Sequence, residues 1–259
     1  MSKQSVWNRS ELSPEPGIGR VYRSTLKIRL SDAAQDGRLR LDAMARYMQD
    51  VASDDVANAD ADDDAYTWVV RRTVIDVVSP FGADSAVALS TWASATGPRW
   101  AGRRTTIAGD AGGRVEAESL WVLIERRTSR LARLPAAFDA LYAASTLGRT
   151  ISAKLELDPE PAPSAIRRPW PLRVTDIDVL GHANNAVYWA AVETAIAASP
   201  ERTDALPDTR IRGVLEYRNP VDRTADLELA IAESRSELSV WLVDGDRTAA
   251  CAMVRFDPR

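Results

Sequence analysis

Apolar residues along the chain predict two long helices, one in each half. Between residues 41 and 57 they return at intervals of three and four, which places them on one face of a helix while polar residues occupy the other faces. Between residues 184 and 197 almost every position is apolar, a pattern typical of a helix that a sheet encloses. We therefore expect both helices to be buried, the second more completely.

Shorter runs rich in β-branched and aromatic residues follow each helix and predict antiparallel strands, because turn residues separate them. Four runs follow the first helix, at residues 68–78, 85–95, 100–107 and 114–126. Four more follow the second, at 210–218, 227–232, 238–243 and 248–256. One short strand is also predicted before each helix, at 26–30 and at 172–174.

The two halves repeat this order of elements at a constant spacing of 144 residues. Three pairs of residues illustrate the correspondence: Asp32 with Asp176, Gly37 with Gly181, and Gln49 with Glu193. One agreement could arise by chance, but three agreements together with the same element order indicate an internal repeat. The chain is thus predicted to contain two copies of one structural unit.

A long helix wrapped by an antiparallel sheet, made twice in one chain, resembles the hotdog fold. We predict an α+β protein with a tandem (double) hotdog, the domains at 20–135 and 168–259 and a linker at 136–167. The linker contains a short helix near 138–144 and a proline-rich, semi-rigid stretch at 158–163. Because the two sheets can pair within one chain, we expect a monomer, with a homodimer as the alternative.

Composition narrows the class of protein. Apolar residues make up 45% and charged residues 27%, and there is no run of about 18 apolar residues that could span a membrane. The first residues lack the apolar segment and small-residue cleavage site of a signal peptide, so we expect a cytoplasmic protein. A net charge of −4 argues against nucleic-acid binding. The single cysteine, Cys251, lies in an apolar run and is expected to be buried, and no metal or cofactor is expected.

The segment 176–189 contains the residues best suited to chemistry, including the protein's only histidine. Asp178, Gly181, His182 and Asn184 lie within seven residues, directly before the second helix. The helix would direct free N–H groups and its positive dipole end at a carbonyl above the turn, and Gly181 would allow close approach. Asp178 or His182 could then activate water or attack.

Each of these residues also has a purely structural interpretation. A lone histidine is often a satisfied structural residue, Asp178 could close a turn, and Asn184 or Asn185 could cap the helix. The first half sharpens the contrast, since it has Ala34, Arg38 and Arg40 at the positions that match Asp178, His182 and Asn184. Only the second half carries the reactive set.

This segment resembles the active-site motif of the acyl-acyl carrier protein (acyl-ACP) thioesterases of plants and bacteria. Further blocks resemble that family in the same order, at residues 68–71, 90–92, 119–123, 126–135 and 215–218. The resemblance implies that Asp178 and His182 are the catalytic pair. It is incomplete, because Leu180 replaces the family's asparagine, and Pro220 and Val221 replace a glutamate and a cysteine.

The resemblance implies hydrolysis of fatty acyl thioesters, with acyl-ACP giving free fatty acid and holo-ACP, and an acyl tunnel lined from the first half. Acyl carrier protein or coenzyme A would carry the substrate. The alternatives are a hotdog acyl-CoA thioesterase, whose Asp-x-x-Gly motif before a helix is similar, and a non-catalytic acyl-thioester binding protein. A dehydratase is the least favoured. Five residues are predicted to bind substrate or orient its partners: Asn185, Tyr188, Glu193, Arg127 and Arg130.

Overall fold

One antiparallel sheet runs through the whole protein. The computed structural model describes residues 12–61, 64–82, 85–199, 206 and 209–258. Within these ranges the strands are β1 (Tyr22–Lys27), β2 (Tyr66–Ser79), β3 (Ala86–Thr96), β4 (Trp100–Gly109), β5 (Arg114–Glu125), β6 (Arg130–Leu131), β7 (Ile166–Pro169), β8 (Thr209–Tyr217), β9 (Leu227–Glu233), β10 (Glu237–Asp244) and β11 (Arg247–Pro258). The helices are α1 (Leu41–Asn58), α2 (Ala136–Thr146) and α3 (Asn185–Ala197).

The strand order of the second half is that of the first half reversed about a central pair. The order is β1-β3-β4-β5-β2-β8-β11-β10-β9-β7, and the short β6 adds to β5. Strands β2 and β8 form the central pair, with Arg72 opposite Glu216 and Val77 opposite Ile211. Each half therefore contributes one sheet and one long helix, and the sheets join into a continuous one. The predicted α+β tandem hotdog is confirmed.

The spacing of 144 residues is present in the backbone as well as in the sequence. Helices α1 and α3 begin 144 residues apart, and 3-10 turns at Leu30–Asp32 and Val174–Asp176 precede them at the same spacing. Gly37 and Gly181 have φ angles of +85° and +78°, a conformation that glycine adopts without steric cost. The two loops that lead into the helices thus share one backbone conformation.

The short strands before these loops lie earlier than predicted. Strand β1 ends at residue 27 and β7 covers 166–169, whereas strands were predicted at 26–30 and 172–174. The reason is a local hydrogen bond: the carboxylates of Asp32 and Asp176 accept the N–H groups of Arg29 and Arg173 at 3.4 and 2.8 Å. These bonds close the 3-10 turns and end the extended conformation. The other predicted strands and helices agree with the structure to within two residues.

Helices α1 and α3 pack against each other and share one apolar core with the sheet. The apolar face predicted for α1, with Met44, Met48 and Val51, is buried. Trp189 of α3 is fully buried beside Gly213 of β8, where an added Cβ would lie 2.9 Å from the indole ring. Glycine at this position therefore lets α3 approach the sheet closely. None of the helices in the described ranges is long and apolar enough to cross a membrane.

The segment between α2 and β7, residues 147–165, is attached to the sheet by hydrogen bonds. Trp100, Glu216 and Trp241, on strands of both halves, bond to its backbone at 2.7, 2.6 and 3.0 Å. Cys251 is buried beneath it, and burial raises the pKa of its thiol to about 11. This segment therefore packs across the junction of the halves. The boundaries proposed from the sequence for the two domains (20–135 and 168–259) and the linker (136–167) stay a prediction.

Candidate active site

The loop before α3 is folded by hydrogen bonds from Asp178. One oxygen of its carboxylate accepts the N–H of Leu180 at 2.9 Å, and its own N–H donates to the carbonyl of His182 at 2.9 Å. Within the described part of the chain, no hydrogen bond engages its second carboxylate oxygen. The turn-forming role expected of an aspartate is thus present, and it leaves one oxygen for other partners.

Asn184 is the N-cap of α3. Its side-chain oxygen accepts the N–H of Ala186 at 3.0 Å, which satisfies one of the donors that a helix leaves unpaired at its start. Asn185 is the first residue of the helix, and the positive end of the helix dipole lies at this point. The capping role expected for one of the two asparagines therefore belongs to Asn184.

His182 is exposed and lies beside a carboxylate that the sequence analysis missed. Its backbone forms an isolated β-bridge with Asp222. Hydrogen bonds from the hydroxyl and N–H of Thr224 lower the pKa of Asp222, and the nearby His182 lowers it further. Asp222 directly follows Pro220 and Val221, two of the positions where the resemblance in sequence is incomplete. Its place beside them was the signal in the sequence that could have identified it.

Tyr188 is buried behind the reactive loop. Its ring meets that of Tyr217 edge to face, with centroids 5.2 Å apart, and Tyr217 donates a hydrogen bond of 3.3 Å to the carbonyl of Asn185. Burial, together with the charge of Asp178, raises the pKa of Tyr188 to about 12, so it is a neutral phenol at physiological pH. The structure thus brings Asp178, Tyr188 and Asn185 into one neighbourhood. The predicted contact of Tyr188 and Asn185 with substrate stays a prediction.

Glu193 belongs to α3, in the second half, but its side chain reaches the start of α1 in the first half. Its carboxylate accepts two hydrogen bonds from the guanidinium of Arg38, at 2.8 and 2.6 Å, and one from the N–H of Leu41 at 2.6 Å. Burial by itself would lower the pKa of Arg38, but the bonds to Glu193 raise it. These bonds give Glu193 an orienting role in the first half. Its contact with substrate stays a prediction.

Arg127 and Arg130 lie on the exposed hairpin formed by β5 and β6. The side chain of Arg127 is 84% exposed, and its nearest carboxylate is 3.9 Å away. Arg103, from the same arginine-rich part of the sequence, instead turns inward and binds Asp55 at 2.7 Å. No hydrogen bond or ion pair among the described residues joins Arg127 or Arg130 to the reactive loop. Their role in substrate binding stays a prediction.

A small pocket with a cavity volume of about 20 Å³, room for about one water molecule, lies between α1, the first-half sheet and the start of α3. Met48 and Gln49 line it from α1, Trp121 from β5, and Asn185 and Tyr217 from the second half. Its lining is mixed: apolar side chains of α1 and β5 lie beside polar ones such as Thr105 and Ser119, and Arg103 also lines it. One end therefore meets the helix start that carries the candidate residues.

Together these features suit one kind of chemistry. A helix start, with a carboxylate and an imidazole in the loop before it, can polarise a carbonyl and deliver water to it. In the described ranges, no three His, Cys, Asp or Glu side chains converge as metal ligands would. Hydrolysis of an acyl carbonyl requires groups of this kind.

Comparison with known proteins gives the family. The model of the acyl-ACP thioesterase N-terminal domain matches residues 19–142, and that of the C-terminal domain matches residues 160–251. An uncharacterized protein of Mycobacterium tuberculosis is 32% identical, over 94% of this chain and 95% of its own length. The chain belongs to the acyl-ACP thioesterase family.

Two solved structures share the fold. The putative oleoyl thioesterase of Lactobacillus plantarum has a TM-score of 0.77 at 18% identity, with 95% of this chain and 98% of that one covered. The 12:0-ACP thioesterase of Umbellularia californica has a TM-score of 0.75 at 23% identity, with coverage of 94% and 100%. These likenesses extend over both halves of the chain.

Proposed function

We propose that this protein hydrolyses fatty acyl thioesters at the start of α3, with the acyl chain in the pocket between α1 and the first-half sheet. The observation that carries the proposal is the place of the pocket, since its lining includes both α1 and Asn185 at the helix start. The pocket must widen between α1 and the sheet to take an acyl chain, which would then place its thioester carbonyl at the N–H of Asn185. The first half then binds the chain and the second half performs the reaction.

The chemistry follows from these positions. The N–H groups of Asn184, Ala186 and Val187 are bonded within the loop and the cap. The N–H of Asn185 and the dipole of α3 therefore stabilise the negative charge that forms on the carbonyl oxygen when water attacks. Asp178, through its second carboxylate oxygen, or His182, with Asp222 beside it, accepts the proton from water. The carbon–sulfur bond then breaks and the thiolate leaves. Asn184 holds the helix start and Gly181 leaves space above it.

We further propose that acyl carrier protein is the carrier, giving free fatty acid and holo-ACP in cytoplasmic fatty acid biosynthesis. Family membership supports this proposal, and so do the exposed arginines of the β5–β6 hairpin, which suit an acidic partner. A non-catalytic acyl-thioester binding protein is the second candidate. It is favoured by Leu180, an exposed apolar side chain where the family has an asparagine. The monomeric state stays a prediction.

The test is thiol release from acyl-ACP and acyl-CoA thioesters of matched chain lengths. We expect turnover with at least one series and a higher kcat/KM with the carrier-protein substrates. Saturable binding of acyl thioesters without thiol release would favour the binding protein. Neither binding nor release across the panel would reject the proposed function.

A further inference from the structure

The start of each long helix faces a side chain from the opposite helix. At the start of α1 the two side chains are Arg38, from the loop, and Glu193, from α3. The spacing of 144 residues makes His182 and Gln49 their counterparts at the start of α3. The two helix starts can therefore be compared position by position.

At the start of α1 the space is filled. The guanidinium of Arg38 and the N–H of Leu41 both bind Glu193, and the two charged side chains are only 12% and 10% exposed. This bidentate ion pair engages both oxygens of Glu193. The Nε of Arg38 makes no hydrogen bond, but it lies 3.2 Å from a carboxylate oxygen of Asp36. The N–H of Leu41 is therefore not available to another partner.

At the start of α3 the corresponding groups do not meet. Gln49 and Asn185 both line the pocket. The side-chain oxygen of Gln49 is buried, yet it accepts no hydrogen bond from any group in the described part of the chain. It therefore does not accept the N–H of Asn185, as Glu193 accepts that of Leu41. A buried acceptor without a partner is uncommon, because burial removes its bonds to water and nothing replaces them.

We propose that Gln49 is a positioning residue, whose side-chain oxygen accepts a hydrogen bond from the water that attacks the thioester. This inference rests on the proposed function. The oxygen of that water bonds to the carbonyl carbon, and Asp178 or His182 takes its proton. The electron pair of the broken carbon–sulfur bond leaves with the thiolate, which is then protonated. Free acid and thiol result, and Gln49 is unchanged.

The test compares Gln49→Met, which keeps the length but removes the acceptor, with Gln49→Glu, which keeps an acceptor. We expect kcat to fall about 10- to 100-fold in Gln49→Met. This loss is larger than that of one ordinary hydrogen bond and smaller than that of one preorganised oxyanion-hole donor. KM and the affinity for a non-hydrolysable thioether analogue of the acyl thioester should change less than threefold. Gln49→Glu should recover at least part of the lost kcat.

Controls separate this role from a structural one. Asp54→Asn, at an exposed position of the same helix, should leave kcat and KM unchanged. If Gln49→Met does not fold, Gln49→Ala replaces it. Wild-type kcat in a folded variant without the acceptor would overturn the inference, and so would a loss of analogue affinity as large as the loss of kcat. Absence of thiol release by the wild type would reject the proposed function first.

Discussion

The two loop-and-helix regions, residues 30–58 and 174–197, have the same backbone but different side chains at the same positions. In the first, Arg38 and Glu193 meet and close the helix start. In the second, His182 is exposed and Gln49 has no partner for its oxygen among the described residues. The comparison teaches that the repeated fold supplies a helix start twice. The side chains of Arg38 and Glu193 fill one of them, whereas the other lines a pocket.

The sharpest way to break this comparison is to remove the proposed reactive groups. Asp178→Asn and His182→Ala should each lower kcat for thioester hydrolysis by about 10²- to 10⁴-fold, the effect of losing a positioned acid or base. Ala34→Asn, at the position of the first half that matches Asp178, is the control and should leave kcat unchanged. Full turnover by folded Asp178→Asn would show that the reactive residues lie elsewhere.

The closed helix start should matter for stability and not for turnover. Glu193→Gln removes the bidentate counter-ion of the buried Arg38 and leaves it only Asp36, at 3.2 Å. We therefore expect the free energy of unfolding to fall by about 2–4 kcal/mol in urea titrations. The kcat of the folded enzyme should stay within threefold of wild type. Arg38→Met combined with Glu193→Leu should recover part of the stability, because both buried charges are then removed and the more exposed Asp36 can be hydrated.

The opposite result, an effect on catalysis without an effect on stability, would support the substrate-binding role that the sequence predicts for Glu193. If Glu193→Gln unfolds like the wild type but has a much lower kcat or a raised KM, its carboxylate acts on the substrate. The comparison between a closed and an open helix start would then be wrong.

The junction between the halves should be sensitive to acid. Asp76 of β2 is 1% exposed and binds Arg210 of β8 at 2.6 Å, and it also binds Arg212. Burial by itself would raise its pKa, but the two arginines lower it. Its stabilising effect is therefore complete above the ordinary carboxyl pKa of about 3.9 and is lost as the pH falls below that value through the folded pKa.

Asp76→Asn measures this effect. At pH 7 the substitution should lower the free energy of unfolding by about 1–3 kcal/mol. The difference between the wild type and the variant should shrink as the pH is lowered from 5 to 2. A difference that stays constant over this range would mean that the Asp76 carboxylate does not link the two halves.

The smallest effect is expected at the surface arginines of the β5–β6 hairpin. In Arg127→Glu with Arg130→Glu, kcat/KM for acyl-ACP should fall about 3- to 30-fold, and less at high salt, because exposed charges act mainly on the encounter rate. The acyl-CoA substrate of the same chain length is the control and should be affected less. Equal losses for both substrates would indicate an ordinary solvated surface.

Much of the fold could be predicted from local patterns. The spacing of apolar residues predicted α1, and a nearly continuous apolar run predicted α3. Runs rich in β-branched and aromatic residues between turns predicted the main strands, and the spacing of 144 residues predicted the repeat. The loop that carries the candidate residues was also predictable, because Asp178, Gly181, His182 and Asn184 are neighbours in the chain. The strand predicted at 172–174 was wrong, because Asp176 turns the chain there by a side-chain hydrogen bond that apolar periodicity does not register.

The sequence by itself determined the elements, their repetition and the candidate residues that are close in the chain. Only the tertiary structure decided which distant groups meet. Arg38 and Glu193 are 155 residues apart, and Asp222 reaches His182 from another segment. Gln49 of α1 and Asn185 at the start of α3 line one pocket, because the two helices pack against each other. Local patterns follow from backbone geometry within a few residues, whereas these meetings depend on how β2 and β8 join the two halves.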